Sequence, residues 1–85
     1  MIKVAIIGCG GIGRLHASVY KSLPDTEIIY MVDTMEELAV SAAKEYGGTA
    51  LTNIDQMTER PDMVDVCTPP DLHTALNLAF IEKGI

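Results

Sequence analysis

Short apolar runs alternate with amphipathic segments along the chain. The first run, Ile2–Ile7, is rich in β-branched residues and closed by glycine, which is typical of a strand covered on both faces. After it the apolar spacing changes to three and four, which predicts a helix that ends at Pro24. The apolar stripe of this helix comprises Ile12, Leu15, Val19 and Leu23. The beginning of the chain therefore predicts a strand, a turn and a helix.

The alternation continues through the middle of the chain. A second buried strand is predicted over Glu27–Val32, and Thr34 with Glu37 fits a capping box that opens a second helix. The apolar face of that helix comprises Leu38, Ala39, Ala42, Ala43 and Tyr46. Gly47–Gly48 ends it, because glycine tolerates the left-handed conformation found at helix ends. A short third strand is then expected over Thr49–Leu51.

The last third of the chain repeats the pattern. Asn53 and Gln56 resemble a cap that opens a short helix, reaching to about Glu59. A fourth strand is expected over Met63–Cys67, although the charge of Asp65 is awkward within it. A final helix is predicted beyond that strand. Its apolar positions are Leu72, Ala75, Leu76, Ala79 and Phe80.

Four predicted strands that alternate with helices indicate an α/β protein. Parallel strands need crossover helices, and such crossovers are right-handed in about 98% of cases. The expected architecture is a doubly wound parallel sheet, the Rossmann fold, in strand order 3-2-1-4. Strand four would leave an open sheet edge, and Ile85 stands where a fifth strand should begin. We therefore expect residues 1–85 to be the first portion of a longer domain.

Composition and charge narrow the classes of function. With 48% hydrophobic and 21% charged residues, the chain matches a folded globular protein. Its formal net charge of -6 disfavours nucleic acid and anionic membranes as partners. No apolar run approaches the roughly 20 residues of a membrane span, and the start of the chain leads directly into a strand. We expect a cytoplasmic protein in which Cys9 and Cys67, which lack a paired spacing, are reduced thiols.

A glycine-rich turn between the first strand and the first helix carries the strongest chemical signal. It is the G-x-G-x-x-G pattern Gly8-Cys9-Gly10-Gly11-Ile12-Gly13. Gly8 permits the tight turn, Gly10 lets the backbone approach a pyrophosphate, and Gly13 allows close packing of helix on strand. The free amides and the positive end of the helix dipole then face the phosphates. The alternative is a glycine turn with a structural role alone.

The second strand leads into Asp33, twenty residues beyond Gly13. A carboxylate at this point of a dinucleotide-binding fold accepts hydrogen bonds from the adenosine ribose hydroxyls, and its charge repels a 2′-phosphate. Thr34 and Met35 follow, without an Arg or Lys that would hold such a phosphate. The sequence therefore predicts a site that prefers NAD to NADP, with a plain helix cap as the alternative role of Asp33.

A second candidate segment, Thr68-Pro69-Pro70, follows the fourth strand, and His73 lies three residues further on. In strand order 3-2-1-4 this segment lies where the order reverses, which is where ligands bind in open α/β sheets. Thr68, Pro69 and His73 are therefore expected to line the nicotinamide half of the pocket. A histidine in the first turn of a helix also commonly caps or packs, and both roles stay open for His73.

Three stretches of the sequence together resemble the Gfo/Idh/MocA oxidoreductases, which include glucose-fructose oxidoreductase and inositol dehydrogenase. The stretches are V-A-I-I-G-C-G-G-I-G-R-L-H at 4–16, V-D at 32–33 and V-C-T-P-P-D-L-H at 66–73. The resemblance covers essentially the whole chain and implies the amino-terminal NAD(P)-binding domain of such an enzyme. Family members pair this domain with a carboxyl-terminal substrate domain, which is absent from this chain.

The resemblance also implies roles for single residues. It assigns to the pyrophosphate Gly8, Gly10, Gly11, Ile12 and Gly13. It assigns Asp33 to the adenosine ribose, and Thr68, Pro69 and His73 to the ribose and nicotinamide side. His16 matches a family position on the first helix, where packing is the expected role.

The family's catalytic lysine belongs to an E-K-P motif on the next strand. The chain instead ends its last predicted helix with Glu82-Lys83-Gly84, so Lys83 is not that lysine. We therefore expect no catalytic residue in these residues, no metal, and no activity of the chain alone.

The leading interpretation is an NAD-dependent oxidoreductase, for which this segment supplies the cofactor-binding half. The resemblance implies a sugar, inositol or related polyol as substrate, and a homo-oligomer when the protein is full length. A non-catalytic dinucleotide-binding or redox-sensing module is the alternative, because a fold alone does not determine function. A SAM-dependent methyltransferase also places a glycine loop after strand one, but the G-x-G-x-x-G spacing and the T-P-P-x-x-H segment argue against it.

Overall fold

The computed structural model describes residues 1–67, which form one sheet with helices packed on it. The four strands are β1 (Ile2–Ile7), β2 (Thr26–Val32), β3 (Thr49–Leu51) and β4 (Met63–Val66). The helices are α1 (Gly11–Ser22), α2 (Glu36–Tyr46) and a short 3-10 helix (Ile54–Gln56). The predicted final helix lies outside the described residues. None of the helices within residues 1–67 has the length and apolarity needed to span a membrane.

The sheet is parallel throughout, in the order β3-β2-β1-β4, which confirms the predicted topology. β1 is central, with β2 on one side and β4 on the other. Two backbone hydrogen bonds extend these pairings by one residue, from Gly8 after β1 to Val32 (2.7 Å) and from Cys67 after β4 to Ile7 (2.7 Å). The carboxyl ends of β2, β1 and β4 therefore meet at one edge of the sheet.

Alternate residues of β1 enter two apolar clusters, one on each face of the sheet. The cluster beneath α1 and α2 contains Val4, Ile6, Cys9, Ala17, Ile28, Met31, Ala39 and Ala42. The cluster on the opposite face contains Ala5, Ile7, Tyr30, Val32 and Ile54. Burial on both faces explains why the strand is a continuous apolar run without alternation.

Helix α1 is confirmed, but the stripe that predicted it does not face the sheet. Its four members point to solvent, with exposed fractions of 63% for Ile12 and Leu15, 52% for Val19 and 45% for Leu23. The sheet-facing side is instead made of small residues, Gly13 and Ala17, both buried. Small side chains let the helix lie close to the strands, and the large apolar residues are directed away.

The two predicted helix caps have different outcomes. The predicted capping box of Thr34 and Glu37 is wrong. The N-cap of α2 is Met35, whose side chain forms no hydrogen bond with the backbone of the helix. The box of Asn53 and Gln56 is confirmed by reciprocal side-chain and backbone hydrogen bonds.

Two predicted helix ends also have different outcomes. Gly47 and Gly48 end α2 as predicted, with φ of 101° and 90°. The 3-10 helix ends at Gln56, short of the predicted Glu59. The Tyr30 hydroxyl accepts hydrogen bonds from the backbone amides of Thr58 (3.1 Å) and Glu59 (2.9 Å), which holds this segment out of a helix.

The two faces of α1 should respond differently to the same polar side chain. We expect Leu15→Gln to change the free energy of unfolding by less than about 0.5 kcal/mol, as is usual for an exposed position. Ala17→Gln should destabilise by about 2 kcal/mol or more, because it forces volume and an amide into a close-packed contact. Urea unfolding followed by circular dichroism measures both. Equal losses for the two variants would contradict the orientation of the helix.

Candidate functional site

The glycine turn lies at the carboxyl edge of the sheet, between β1 and α1. Gly8 has φ of 97°, a conformation that L side chains rarely adopt, which confirms its predicted role in the tight turn. Gly10 is the N-cap of α1, where no side chain caps the helix and no acidic residue lies in the first turn. Among residues 1–67, no side chain caps the first amides of the helix, and this is the arrangement that binds anions.

The glycines of this turn differ in what the fold demands of them. A Cβ at Gly13 would lie 1.8 Å from the carbonyl oxygen of Gly8, so packing of α1 on the turn excludes any side chain there. A Cβ at Gly10 or at Gly11 would meet nothing within 4 Å. Their lack of a side chain leaves an open, exposed surface of backbone next to the end of the helix. This surface fits a group that approaches the backbone closely, such as a pyrophosphate.

Asp33 lies directly after β2 and is half-buried beside the turn. One carboxylate oxygen, Oδ2, accepts the backbone N–H of Cys9 (2.8 Å), and the other, Oδ1, accepts the N–H of Met35 (2.8 Å). Asp33 therefore fixes both the glycine turn and the approach to α2. Its contact with Cys9 was missed by sequence reasoning, although the two residues follow neighbouring parallel strands.

Cys9, within the turn, is fully buried and points into the core. Burial raises the pKa of its thiol to about 11, and the charge of Asp33 acts in the same direction. The thiol keeps its proton near neutral pH and lies 3.5 Å from the carbonyl oxygen of Val32. Cys9 and Cys67 are both free cysteines in the structure.

Arg14, in the second turn of α1, is directed away from the glycine turn. Its guanidinium forms an ion pair with Glu45 at 2.7 Å and donates a hydrogen bond to the hydroxyl of Ser41. Both partners lie on α2, so Arg14 connects the two helices.

A second polar cluster surrounds Asp65 on the sheet face beneath α1. Its Oδ2 accepts the Tyr20 hydroxyl (2.8 Å) and lies 2.8 Å from Nδ1 of His16, while the Cys67 thiol donates to Oδ1 (3.4 Å). Burial works to raise the pKa of this carboxyl, but the hydrogen bonds from Tyr20, His16 and Cys67 together hold it below its usual value. The charge that was awkward in the predicted strand is thus paired. His16, for which packing was predicted, has a polar partner.

His16, Asp65 and Cys67 are residue types that also bind metals, and their ligand atoms lie within 4.8 Å of one another. Here they bond to one another. Burial and the neighbouring Asp65 raise the pKa of the Cys67 thiol to about 12, so the thiol is protonated and can donate to that carboxylate. Hydrogen bonding accounts for the cluster as it stands.

The predicted nicotinamide-side residues Thr68, Pro69 and His73 lie outside the described residues. Cys67, the last described residue, donates its backbone N–H to Ile7, so the chain leaves β4 directly beside the end of β1. This is the point where the strand order reverses.

The chain is similar in sequence and in structure to known dehydrogenases. A family model described as an oxidoreductase family with an NAD-binding Rossmann fold matches residues 2–85. The chain is 32% identical over 83 residues to the glucose-6-phosphate 3-dehydrogenase of Bacillus subtilis (strain 168), covering 98% of this chain and 24% of that enzyme. It superimposes with a TM-score of 0.87 on a myo-inositol dehydrogenase from Corynebacterium glutamicum, at 29% identity, covering 100% of this chain and 26% of that one. The chain thus spans about a quarter of the length of these relatives.

Two further similar structures contain a dinucleotide. One, from gentamicin A biosynthesis, is in complex with NAD (27% identity, TM-score 0.87, 98% of this chain and 24% of that one). The other, a 3-ketoreductase from Actinomadura kijaniata, is in complex with NADP (26% identity, TM-score 0.76, 87% of this chain and 24% of that one).

The Asp65 cluster should make stability depend on pH in the acid range. The pKa of Asp65 is lowered in the folded chain, so its contribution is complete above the unfolded value of about 3.9 and is lost as the pH falls through the folded value. We expect Asp65→Asn to lower the free energy of unfolding by about 1 to 3 kcal/mol at pH 7. This difference from the unaltered chain should shrink below about pH 4.

Urea unfolding at pH 7 and at pH 3 measures the effect, with Asp25→Asn as the exposed control. A loss from Asp65→Asn that stays the same at both pH values would show that the carboxylate charge is not what stabilises the cluster.

Proposed function

Because the chain belongs to the Gfo/Idh/MocA oxidoreductase family, with its NAD-binding Rossmann fold, we propose that it binds a nicotinamide dinucleotide across the carboxyl edge of its sheet. One observation carries this proposal. The fold requires glycine at 13 but leaves open space at Gly10 and Gly11, next to the uncapped start of α1. Glycine at those two positions is explained by a ligand, since the described fold itself does not demand it.

The residues of the turn fit a pyrophosphate. The first amides of α1 supply hydrogen-bond donors, and the helix dipole favours negative charge at this end. Gly10 and Gly11 leave the backbone accessible, and Ile12 is exposed beside them. Gly8 and Gly13 act indirectly, by shaping the turn and seating the helix.

Asp33 fits the adenosine ribose even though its two oxygens already accept backbone amides. An ionised carboxylate offers about four acceptor positions, so two remain for the ribose hydroxyls. The amide bonds from Cys9 and Met35 hold the carboxylate in a fixed orientation before the ligand arrives. Such preorganisation lowers the entropic cost of binding.

We propose a preference for NAD over NADP. Beyond Asp33, the first turn of α2 adds the carboxylates of Glu36 and Glu37, which would repel a 2′-phosphate. The cation that follows the turn, Arg14, is engaged by Glu45 and Ser41 on α2. The negative charges near the expected position of the ribose therefore disfavour the 2′-phosphate of NADP.

We propose that residues 1–85 are the amino-terminal, cofactor-binding portion of an oxidoreductase that acts on a hydroxyl or ketone of a sugar, inositol or related polyol. The sugar and inositol dehydrogenases among its relatives support this reaction class. The bound nicotinamide would supply the hydride chemistry, and this chain would bind and orient it. The proton-transfer group and the substrate domain would come from outside these residues. The cytoplasmic location and the homo-oligomer stay predictions.

Placement of the pyrophosphate is tested with Gly10→Val. The substituted side chain has open space in the fold, so we expect the free energy of unfolding to change by less than about 1 kcal/mol. NADH affinity should fall at least about tenfold, because the side chain occupies the position of the phosphates. Titration of NADH fluorescence measures the dissociation constant, with Ser18→Val, further along α1, as the control. Unchanged NADH affinity in a folded Gly10→Val variant would contradict the placement.

Asp33→Ala tests the cofactor preference. We expect weaker binding of both dinucleotides, because the turn loses its bond at Cys9, and a stronger effect on NAD, because the ribose diol loses its acceptor. The ratio of the NADP and NAD dissociation constants should fall about tenfold. Asp25→Ala, at the other end of the same strand, is the control. An unchanged ratio would show that Asp33 only binds backbone amides and does not contact the ribose.

A further inference from the structure

Two side chains of α1 contact one carboxylate oxygen on β4. His16 and Tyr20 are four residues apart and so project from the same helix face, one turn from each other. Both lie 2.8 Å from Oδ2 of Asp65. We call these three residues the α1–β4 clasp.

The clasp restrains the helix more than a single bond would. One bond leaves a helix free to rotate about the contact, whereas two bonds one turn apart also restrict rotation about the axis and sliding along it. The carboxylate is well shielded, with 19% of its side chain exposed, and bonds to a charged acceptor are the stronger kind. Ala17, between the two donors, is fully buried, so the clasp acts at the surface where helix and sheet touch.

The α1–β4 clasp lies next to the candidate site, one turn further along α1. His16 follows Gly13 by three residues, and a Cβ at Gly13 would lie 3.7 Å from Cβ of Cys67. The first turn of α1 and the end of β4 are therefore in contact. In an open α/β sheet the pyrophosphate of a dinucleotide lies at the start of α1. The other half of the dinucleotide extends past the place where the strand order reverses, toward the next strand, here β4.

We propose that Asp65, with His16 and Tyr20, is a positioning group that sets the spacing between α1 and β4 for a ligand that spans both. This inference rests on the proposed function. The clasp should affect the affinity for different ligands differently. The affinity for a ligand confined to the α1 side should depend on the clasp little, and the affinity for a complete dinucleotide should depend on it strongly. Neither the glycine motif nor Asp33 has this property, since both act on the α1 side.

The experiment compares ADP, which carries the adenosine and two phosphates, with NADH, which also carries the nicotinamide half. For Asp65→Asn we expect the NADH dissociation constant to rise about tenfold and that of ADP by less than about twofold. His16→Ala should behave in the same way. His16→Asn, which keeps an N–H near the position of Nδ1, should restore NADH binding to within about twofold.

Tyr20→Phe is the mildest test, because it removes one hydroxyl and keeps the packing. Its matched control is Tyr46→Phe, a partly buried tyrosine on α2 outside the clasp. We expect Tyr20→Phe to weaken NADH binding more than ADP binding, and Tyr46→Phe to change neither. If Asp65→Asn fails to fold, this pair decides the question.

Several results would overturn the inference. Equal losses of ADP and NADH affinity would show that Asp65 serves the fold alone, and no loss of either would show that the spacing does not matter. Thermal stabilisation by Zn²⁺ that Cys67→Ser abolishes would make the cluster a metal site instead. Failure of the unaltered chain to bind either ADP or NADH would overturn the proposed function itself, which separates that failure from failure of the clasp.

Discussion

The close approach of α1 to the turn after β1 is the constraint on which the other features depend. No side chain fits at Gly13, where a Cβ would lie 1.8 Å from the carbonyl oxygen of Gly8. The helix therefore rests on the sheet through Gly13 and Ala17, and its first amides come to the carboxyl edge. The same approach directs the large apolar residues of α1 outward and brings His16 and Tyr20 within reach of β4.

Most of the fold could be predicted because it follows from local patterns. Continuous apolar runs gave strands buried on both faces, and the helical segments between them required parallel pairing. The orientation of α1 could not be obtained in this way. Hydrophobic periodicity finds the large apolar stripe, but here the contact surface consists of Gly13 and Ala17, which carry almost no hydrophobic signal. The pattern correctly predicted a helix and left open which side of it meets the sheet.

The candidate site was predictable as far as it rests on local spacing. The glycines and Asp33 follow from a motif and a fixed interval. The hydrogen bonds between the polar residues did not follow, because they join positions distant in sequence, 24 apart for Cys9 and Asp33 and 49 apart for His16 and Asp65. The sequence did contain one indication that Asp65 has a bonding partner. A charge within a buried strand requires a partner, and the strand order 3-2-1-4 places β4 next to β1 and its helix.

Two carboxylates anchor the turn and α1 from opposite sides of the central strand. Asp33, after β2, holds the backbone of the turn at Cys9, and Asp65, on β4, holds the helix through His16 and Tyr20. Neither bond uses the first amides of α1, which are the donors a phosphate needs. Both anchors consist of hydrogen bonds within the chain, and such bonds restrict the conformational freedom of the turn and of α1. The two carboxylates that flank the turn are thus bonded to structural partners, and the positive end of the helix dipole faces the open edge between them.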